Sequence, residues 1–405
     1  MDFAFTKEQQ RFREEVRSFC ETEPYGELDA KIALDFSPEF YRKVAAKGWL
    51  GLAFPKEYGG QNYGKIEETI FHEEMASHRA PIALDVYGTT VVLGGAVLLK
   101  RGSEEQKRYY LPRIAKGEIW IGQGFTEADA GSDLLMLKTY AVREGDYYII
   151  NGTKMFQSWA HRALHLRQYG MSQHVLLLVR TDQSAPPDKS LSIFIFDVTT
   201  PLPGMSVIPF VTMDGRTTNE VLFENVRIPV ESLIGEENQA WDYVVESGAF
   251  YWERRPGGYI GLMGGLLKEL IQYVKETKLD GQPLCQNALV RHKLAELAIR
   301  IEGLRLYTYR FSWTIDNGLD FIGPGALMKF HTDRLLTYFV NVAMQILGPY
   351  GQLKKGAKYA QLGGVIENMY RLFTLRSFAS TGPSAMRNVI AGTMLGLPNE
   401  FGLIY

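Results

Sequence analysis

The stretch "FYWERRPGG", residues 250–258, places one carboxylate, Glu253, after Phe250, Tyr251 and Trp252 and before Arg254 and Arg255. Burial against the aromatic rings would raise its pKa toward the range in which it can take a proton from carbon, while the arginines would lower it. The same residues also describe a glutamate on a helix surface. Neighbours in sequence do not face each other on a helix, so a strong pair with Arg254 is not implied. A second carboxylate, Asp85, stands in the apolar run "APIALDVYGTT", where it either caps a turn or meets a ligand.

Two further stretches carry ligand-binding residue types. "GQGFTEADAGSD", residues 122–133, gathers glycines, small residues and hydroxyls into one loop, so backbone amides can approach a planar or phosphorylated ligand. A plain hydrogen-bonded turn has the same composition. "NGTKMFQSWAH", residues 151–161, sets Phe156 and Trp159 beside Ser158, an aromatic and hydroxyl pairing that can stack on and hydrogen-bond an isoalloxazine ring, or form core. His161 and His165 can share a helix face, but no HExxH or acidic triad joins them, so no metal site is expected. No GxGxxG follows a strand and no GxxxxGK[ST] is present, which leaves nicotinamide and P-loop chemistry without a motif.

The elements that must hold these residues change period along the chain. From 1 to 120 the pattern is helical, with capping boxes at Thr6 to Gln9 and Ser103 to Gln106, and Ser37-Pro38 as an N-cap with proline at N1. From 121 to 235 short β-rich runs take over: "YYIINGTKMF", "HVLLLVRT", "LSIFIFDV", "MSVIPF" and "EVLFENVRIP". Asn151-Gly152 is a strong hairpin-turn signal. Few helix-length segments separate the runs, which favours an antiparallel sheet over βαβ units. From 236 to 405 long helical segments return, with Leu294, Leu297, Ile301 and Leu304 at helix spacing.

The chain has 405 residues, 46% of them apolar, enough for a large core. A net charge of -2 offers no electrostatic case for nucleic acid or an anionic membrane. Cys20 and Cys285 alone do not make a disulfide framework. No apolar run approaches membrane-spanning length and the opening "MDFAFTKEQQ" lacks a signal-peptide pattern, so a reducing, cytoplasmic setting is expected.

Taken in order, "GFTEADAGSD", "INGTKMFQSWAH", "NEVLFENVRIPVESLIGEEN" and "QILGPYG" resemble the acyl-CoA dehydrogenases over essentially the whole chain. The wording of "NEVLFENVRIP" and "LVRHKLAELAIRIEGLR" is similar to members handling steroid side chains and other bulky or branched acyl groups. The resemblance implies a mainly α fold with a central β domain: a helical N-terminal domain, a middle antiparallel β domain and a C-terminal four-helix bundle. It also implies FAD, an acyl-CoA substrate, an electron-transferring flavoprotein as acceptor, and a homotetramer, a dimer or a heteromer with a related subunit. Phe125 and Thr126 would line the flavin, Ser132 would lie where FAD and the CoA arm meet, Phe156 would pack on the ring, and Ser158 would approach N5. Gln345, Gly348 and Gly351 would contact the FAD of a neighbouring subunit. Phe250, Tyr251 and Arg254 would border the substrate, and Asp85 would lie along the acyl cavity.

The chain departs from the family pattern twice. Where many members carry a catalytic glutamate near the C-terminus, "SFASTGPSAMRN" offers Ser380 or Thr381, and an unaided hydroxyl cannot remove an α-proton. A minority of members carry the base on a C-domain helix just before an arginine, the position of Glu253-Arg254. In "KETKLDGQPL", Thr277 and Asp280 replace an arginine and a phenylalanine associated with a neighbouring FAD. The expected reaction is α,β-dehydrogenation of an acyl-CoA, with Glu253 as base and Asp85 as the second candidate. An oxidase on the same fold and a FAD-poor, non-catalytic subunit are the alternatives.

Overall fold

The computed structural model describes residues 2–29, 33, 35–246, 257–376, 379 and 381–398. Helices α1 (Lys7–Thr22), α2 (Pro38–Ala46), α3 (Lys65–Ser77), α4 (Leu84–Tyr87), α5 (Gly95–Arg101) and α6 (Glu104–Ala115) come first. Strands β1 (Ile119–Gly124), β2 (Tyr140–Glu144), β3 (Tyr147–Lys154), β4 (Ser172–Arg180), β5 (Leu191–Asp197), β6 (Met205–Val211) and β7 (Thr217–Pro229) follow, with the short α7 (Ala163–Leu166) among them. Then come α8 (Ala240–Glu246), α9 (Gly258–Glu276), the ribbon β8 (Lys278–Leu279) and β9 (Gln282–Pro283), and α10 (Ala288–Asp316), α11 (Ile322–Leu347), α12 (Val365–Arg376) and α13 (Pro383–Leu395). The helix, sheet, helix order matches the sequence expectation. So do three helix starts: Thr6 and Ser103 each form a reciprocal capping box, and the Ser37 hydroxyl accepts from the Phe40 amide with Pro38 at N1.

One compact unit comprises Met1–Glu23, Gly64–Ala80 and Tyr251–Tyr405, and the other Pro24–Tyr63 and Pro81–Phe250. In the first, α3 and α9 pack backbone to backbone. A Cβ at Gly257, Gly261 or Gly265 would stand 2.4, 2.2 or 2.4 Å from the carbonyl oxygens of Thr69, Glu73 and Ser77. Glycine every fourth residue thus clears one face of α9 for the neighbouring helix. Glu73 and Glu74 of α3 are buried and answered by cations: Arg13 and Arg17 reach Glu74, while Arg13 and Arg305 reach Glu73. Leu297, Ile301 and Leu304 of α10 join Leu336, Phe339 and Ala343 of α11 in the core, as the spacing of α10 predicts.

The second unit holds the sheet, in the order β1-β4-β2-β3-β7-β6 with β5 on β4. Most pairs are antiparallel, but β1 lies parallel to β4, and Tyr140 of β2 bridges Arg180 in parallel. The sheet is therefore mixed, a correction to the antiparallel expectation. Between Gly124 and Ser172 the chain makes the β2–β3 hairpin and several helical turns, ample length for the crossover that parallel pairing requires. No single helix spans that gap, so the usual sequence cue for a crossover is missing.

The expected Asn151-Gly152 turn is also corrected. Both residues lie inside β3, where the register against β7 shifts between Ile150 and Gly152. Gly152 has φ +138° and packs against Thr139, and the Asn151 side chain exchanges hydrogen bonds with Asn225 across the sheet. The bulge belongs to the partner strand: Asn151 alone stands against Glu224 and Asn225 of β7, with Asn225 at φ +53°. Gly152 is needed because a Cβ there would meet Thr139 at 2.6–2.8 Å. The turn between β2 and β3 falls at Gly145 and Asp146 instead.

Candidate functional site

Within the sheet unit, the loop after β1 and the segment after β3 are laced together. The Met155 amide donates to the Thr126 carbonyl at 2.8 Å. The Lys154 ammonium, fully buried, donates to the Phe125 carbonyl at 3.0 Å and to Glu127 Oε1 at 2.8 Å. The Glu127 carboxylate also accepts from the amides of Lys138 and Thr139 at 2.6 and 2.9 Å, closing the loop that carries Ser132. Burial pushes the Lys154 pKa down to about 8 against the opposing charge of Glu127. Burial also works to raise the Glu127 pKa, but Lys154 and the loop hydrogen bonds prevail and hold it low.

Phe156 follows at φ +59°. A bulky residue in the left-handed region costs about 1–3 kcal/mol and persists only where its surroundings over-determine it. Here both neighbours are pinned. Met155 is tied through its amide to Thr126 and through its carbonyl to Gln157 Nε2; Gln157 donates its amide to the Asn219 carbonyl at 2.8 Å and accepts from Asn219 Nδ2 on its own carbonyl. Asn219 Nδ2 also meets His161 Nδ1 at 2.9 Å. The amide donates, so that ring nitrogen accepts and His161 is neutral. Burial, with help from Arg162 and His165, pushes the His161 pKa down to about 4. The result is a Phe156 ring left 53% exposed, edge-on to Phe210, with the exposed Ser158 two residues on and a half-buried Thr126 beside the strand end. Phe125 is buried, and Ser132 is exposed on its loop. Trp159, weighed with Phe156 as a stacking group, is buried and donates its indole N–H to Gln123 O and Gln157 Oε1.

Asp85 has buried apolar sequence neighbours, yet its own carboxylate is exposed and accepts from Arg216 at 3.0 Å. Arg216 also bonds the buried Asp214, and the positive charge of Arg162 lies within electrostatic reach of Asp85. The apolar surroundings read from the sequence do not hold for this side chain. Its β6–β7 partner is distant in sequence and could not be read from the local run.

In the other unit, Gln345 is exposed at the end of α11 and accepts from Lys293 at 2.6 Å. Gly348 (φ +57°) and the buried Gly351 belong to the 3₁₀ turn that follows. Thr277 ends α9, and Asp280 and Gly281, both at positive φ, form the tight turn of the β8–β9 ribbon. Phe250, Tyr251, Glu253 and Arg254 lie outside the described residues, as does Ser380; Thr381 is buried with φ +69°. Among the described residues, no cluster of three or more His, Cys, Asp or Glu could hold a metal ion, and no helix is long and apolar enough to cross a membrane.

Three family models match successive parts of the chain: the acyl-CoA dehydrogenase N-terminal domain over residues 6–118, the middle domain over 122–226 and the C-terminal domain over 241–395. The chain belongs to the acyl-CoA dehydrogenases. Acyl-CoA dehydrogenase FadE26 of Mycobacterium tuberculosis is 31% identical, covering 98% of this chain and 99% of that protein. Among solved structures, the steroid ACAD Tcur3481-Tcur3483 aligns with TM-score 0.85 at 27% identity, covering 99% of this chain and 100% of that one. The ChsE4-ChsE5 complex from Mycobacterium tuberculosis aligns with TM-score 0.84 at 30% identity, covering 98% and 99%. As an acyl-CoA dehydrogenase this protein is a FAD-dependent oxidoreductase. The residues present fit a flavin: a half-exposed aromatic ring on over-determined backbone, with the hydroxyl-bearing Thr126 and Ser158 on the same laced segments, suits a flat ring with a polar edge.

Sequence reasoning missed Lys154, Glu127, Gln157 and Asn219. Lys154 carried a signal, because it closes β3 on the same buried phase as Tyr148 and Ile150, where a charge requires a partner. Asn219 carried none, since its role depends on the approach of β7 to the segment after β3.

Proposed function

We propose that this acyl-CoA dehydrogenase removes the α-proton of a bulky, cyclic or branched acyl-CoA with Glu253 while the β-hydrogen leaves as hydride, giving the enoyl-CoA. The observation that carries the flavin side of this reading is the Phe156 ring, half exposed on left-handed backbone, with the exposed Ser158 two residues on. FAD, when bound, supplies the hydride acceptor. In this reading Phe156 packs on the ring, Thr126 and Ser158 hydrogen-bond its edge, Ser132 stands between the cofactor and the CoA arm, and Gln345, Gly348 and Gly351 serve a neighbouring subunit's cofactor. Glu253 is assigned as base because Ser380 or Thr381 occupies the place of the family's usual glutamate, and neither hydroxyl ionises near neutrality. Phe250, Tyr251 and Arg254 border the acyl group and set the acidity of Glu253. Asp85 stands second to Glu253, because a guanidinium-bound carboxylate is stabilised as the anion and is a poorer base.

A bulky acyl group is supported by the likeness to the steroid ACAD. The two-component title of the ChsE4-ChsE5 structure, together with Thr277 in place of the family's arginine, supports assembly with a related subunit as well as with itself. Reduced cofactor passes its electrons to an electron-transferring flavoprotein in this reading. The test is anaerobic bleaching of the bound flavin by straight, branched, alicyclic, aryl-substituted and steroidal acyl-CoAs. Fast bleaching by the bulky members with enoyl-CoA formation is expected; bleaching confined to short straight chains would overturn the substrate class.

A further inference from the structure

We propose that the buried Lys154–Glu127 pair is the positioning device for the flavin-facing surface, holding the loop that carries Phe125 and Thr126 in register with the strand end that carries Phe156. The inference rests on the reading that these residues face FAD.

The ammonium of Lys154 touches the Phe125 carbonyl and Glu127, and the next residue along the strand bonds the Thr126 carbonyl. Two successive residues of β3 and its extension therefore grip three successive residues of the loop. Glu127 extends the grip by holding the amides of Lys138 and Thr139, so one carboxylate anchors both ends of the Ser132 loop. A buried ion pair adds little stability over well-packed apolar residues of equal size, so its presence here needs another reason. Register supplies one. Phe156 sits in left-handed backbone one residue beyond Met155, and a shift of the 125–127 loop would release the Met155 amide that fixes one side of it. The opposite side is fixed independently by Asn219. Loss of the pair should therefore loosen the ring's setting without unfolding the sheet.

The experiment compares the holoenzyme with Lys154→Met/Glu127→Gln, which removes both charges together and keeps an acceptor for the loop amides, and with Lys154→Arg, which keeps the charge but moves the donors. Each is read by thermal midpoint, by FAD titration of the apoprotein and by the visible absorbance and circular dichroism of the bound flavin. The double variant is expected to melt close to the wild type, yet to bind FAD about tenfold or more weakly, as when an outer partner that orients a ligand-contacting group is lost. Its flavin spectrum should shift toward that of free FAD, and Lys154→Arg should move in the same direction. Unchanged FAD affinity and spectrum in the folded double variant would overturn the proposal; if that variant does not fold, the same result in Lys154→Arg would do so. Phe156→Ala separates the two levels: an unaltered flavin spectrum there removes the underlying placement of FAD. An altered spectrum in Phe156→Ala beside an unaltered one in the pair variants removes only the role of Lys154 and Glu127. None of these readouts uses acyl-CoA turnover.

Discussion

A base that takes a proton from carbon works best short of solvent and short of counter-charge, and Asp85 is neither. Asp85 has a guanidinium at 3.0 Å and an exposed side chain. Glu253 has three aromatic residues before it in sequence. Glu253→Gln should keep FAD and ligand binding while lowering turnover by roughly two to four orders of magnitude, the usual worth of general-base catalysis. Asp85→Asn should lower kcat by no more than about tenfold on the same substrates, since it removes an exposed ion pair of small energetic weight. Steady-state kinetics on both variants with one acyl-CoA checks the order. A larger loss in Asp85→Asn than in Glu253→Gln would exchange their roles. At the same scale, Phe156 pairs strain with exposure, and relieving the strain by Phe156→Gly should raise thermal stability or leave it unchanged while weakening FAD binding.

Elements set which of these residues meet. Gly261→Ala would drive a methyl to within 2.2 Å of the Glu73 carbonyl, so α9 must move off α3. A destabilisation of about 1–3 kcal/mol is expected for such overpacking, read as a lowered denaturant midpoint with an unchanged slope. In the sheet, burial pushes the His174 pKa to about 4 against the opposing charge of Asp197. Its folded value lies below the unfolded one, so the associated stability is complete above about pH 6.5 and is lost as pH falls through 4. His161 acts in the same direction. Thermal midpoints between pH 7 and 4 should fall less steeply in His174→Gln than in the wild type, and parallel curves would contradict this. Helix caps and the α10 stripe were legible because their chemistry is local: Thr6, Ser37 and Ser103 act within three residues, and Leu297, Ile301 and Leu304 need only helical spacing. Residues 151–152 were misread because the glycine is required by the close approach of Thr139 and the asparagine bonds Asn225 of the bulged β7, two meetings that leave the same Asn-Gly wording as a tight turn. The parallel β1–β4 pair, the Arg216 partner of Asp85 and the Asn219 clamp all join residues far apart in sequence, where no local pattern records the meeting.

At the scale of the molecule, the chain is an acyl-CoA dehydrogenase along nearly its full length, with fold and cofactor following from that membership. In the proposed reading Thr277 bears on assembly, and Ser380 or Thr381 on the choice of base. If a related subunit completes the cofactor grip, co-expression should raise the FAD bound per chain, measured by flavin absorbance against protein mass in native mass spectrometry. Full occupancy in the chain expressed alone would show that the grip is complete without a partner. The central claim is proton removal by Glu253 opposite the flavin. Anaerobic stopped-flow mixing of the flavin-loaded protein with a bulky acyl-CoA tests it most directly, in the wild type and in Glu253→Gln. Rapid bleaching in the wild type and bleaching slowed at least about a hundredfold in Glu253→Gln, with ligand binding intact, is the predicted result; equal bleaching rates in the two proteins would contradict it.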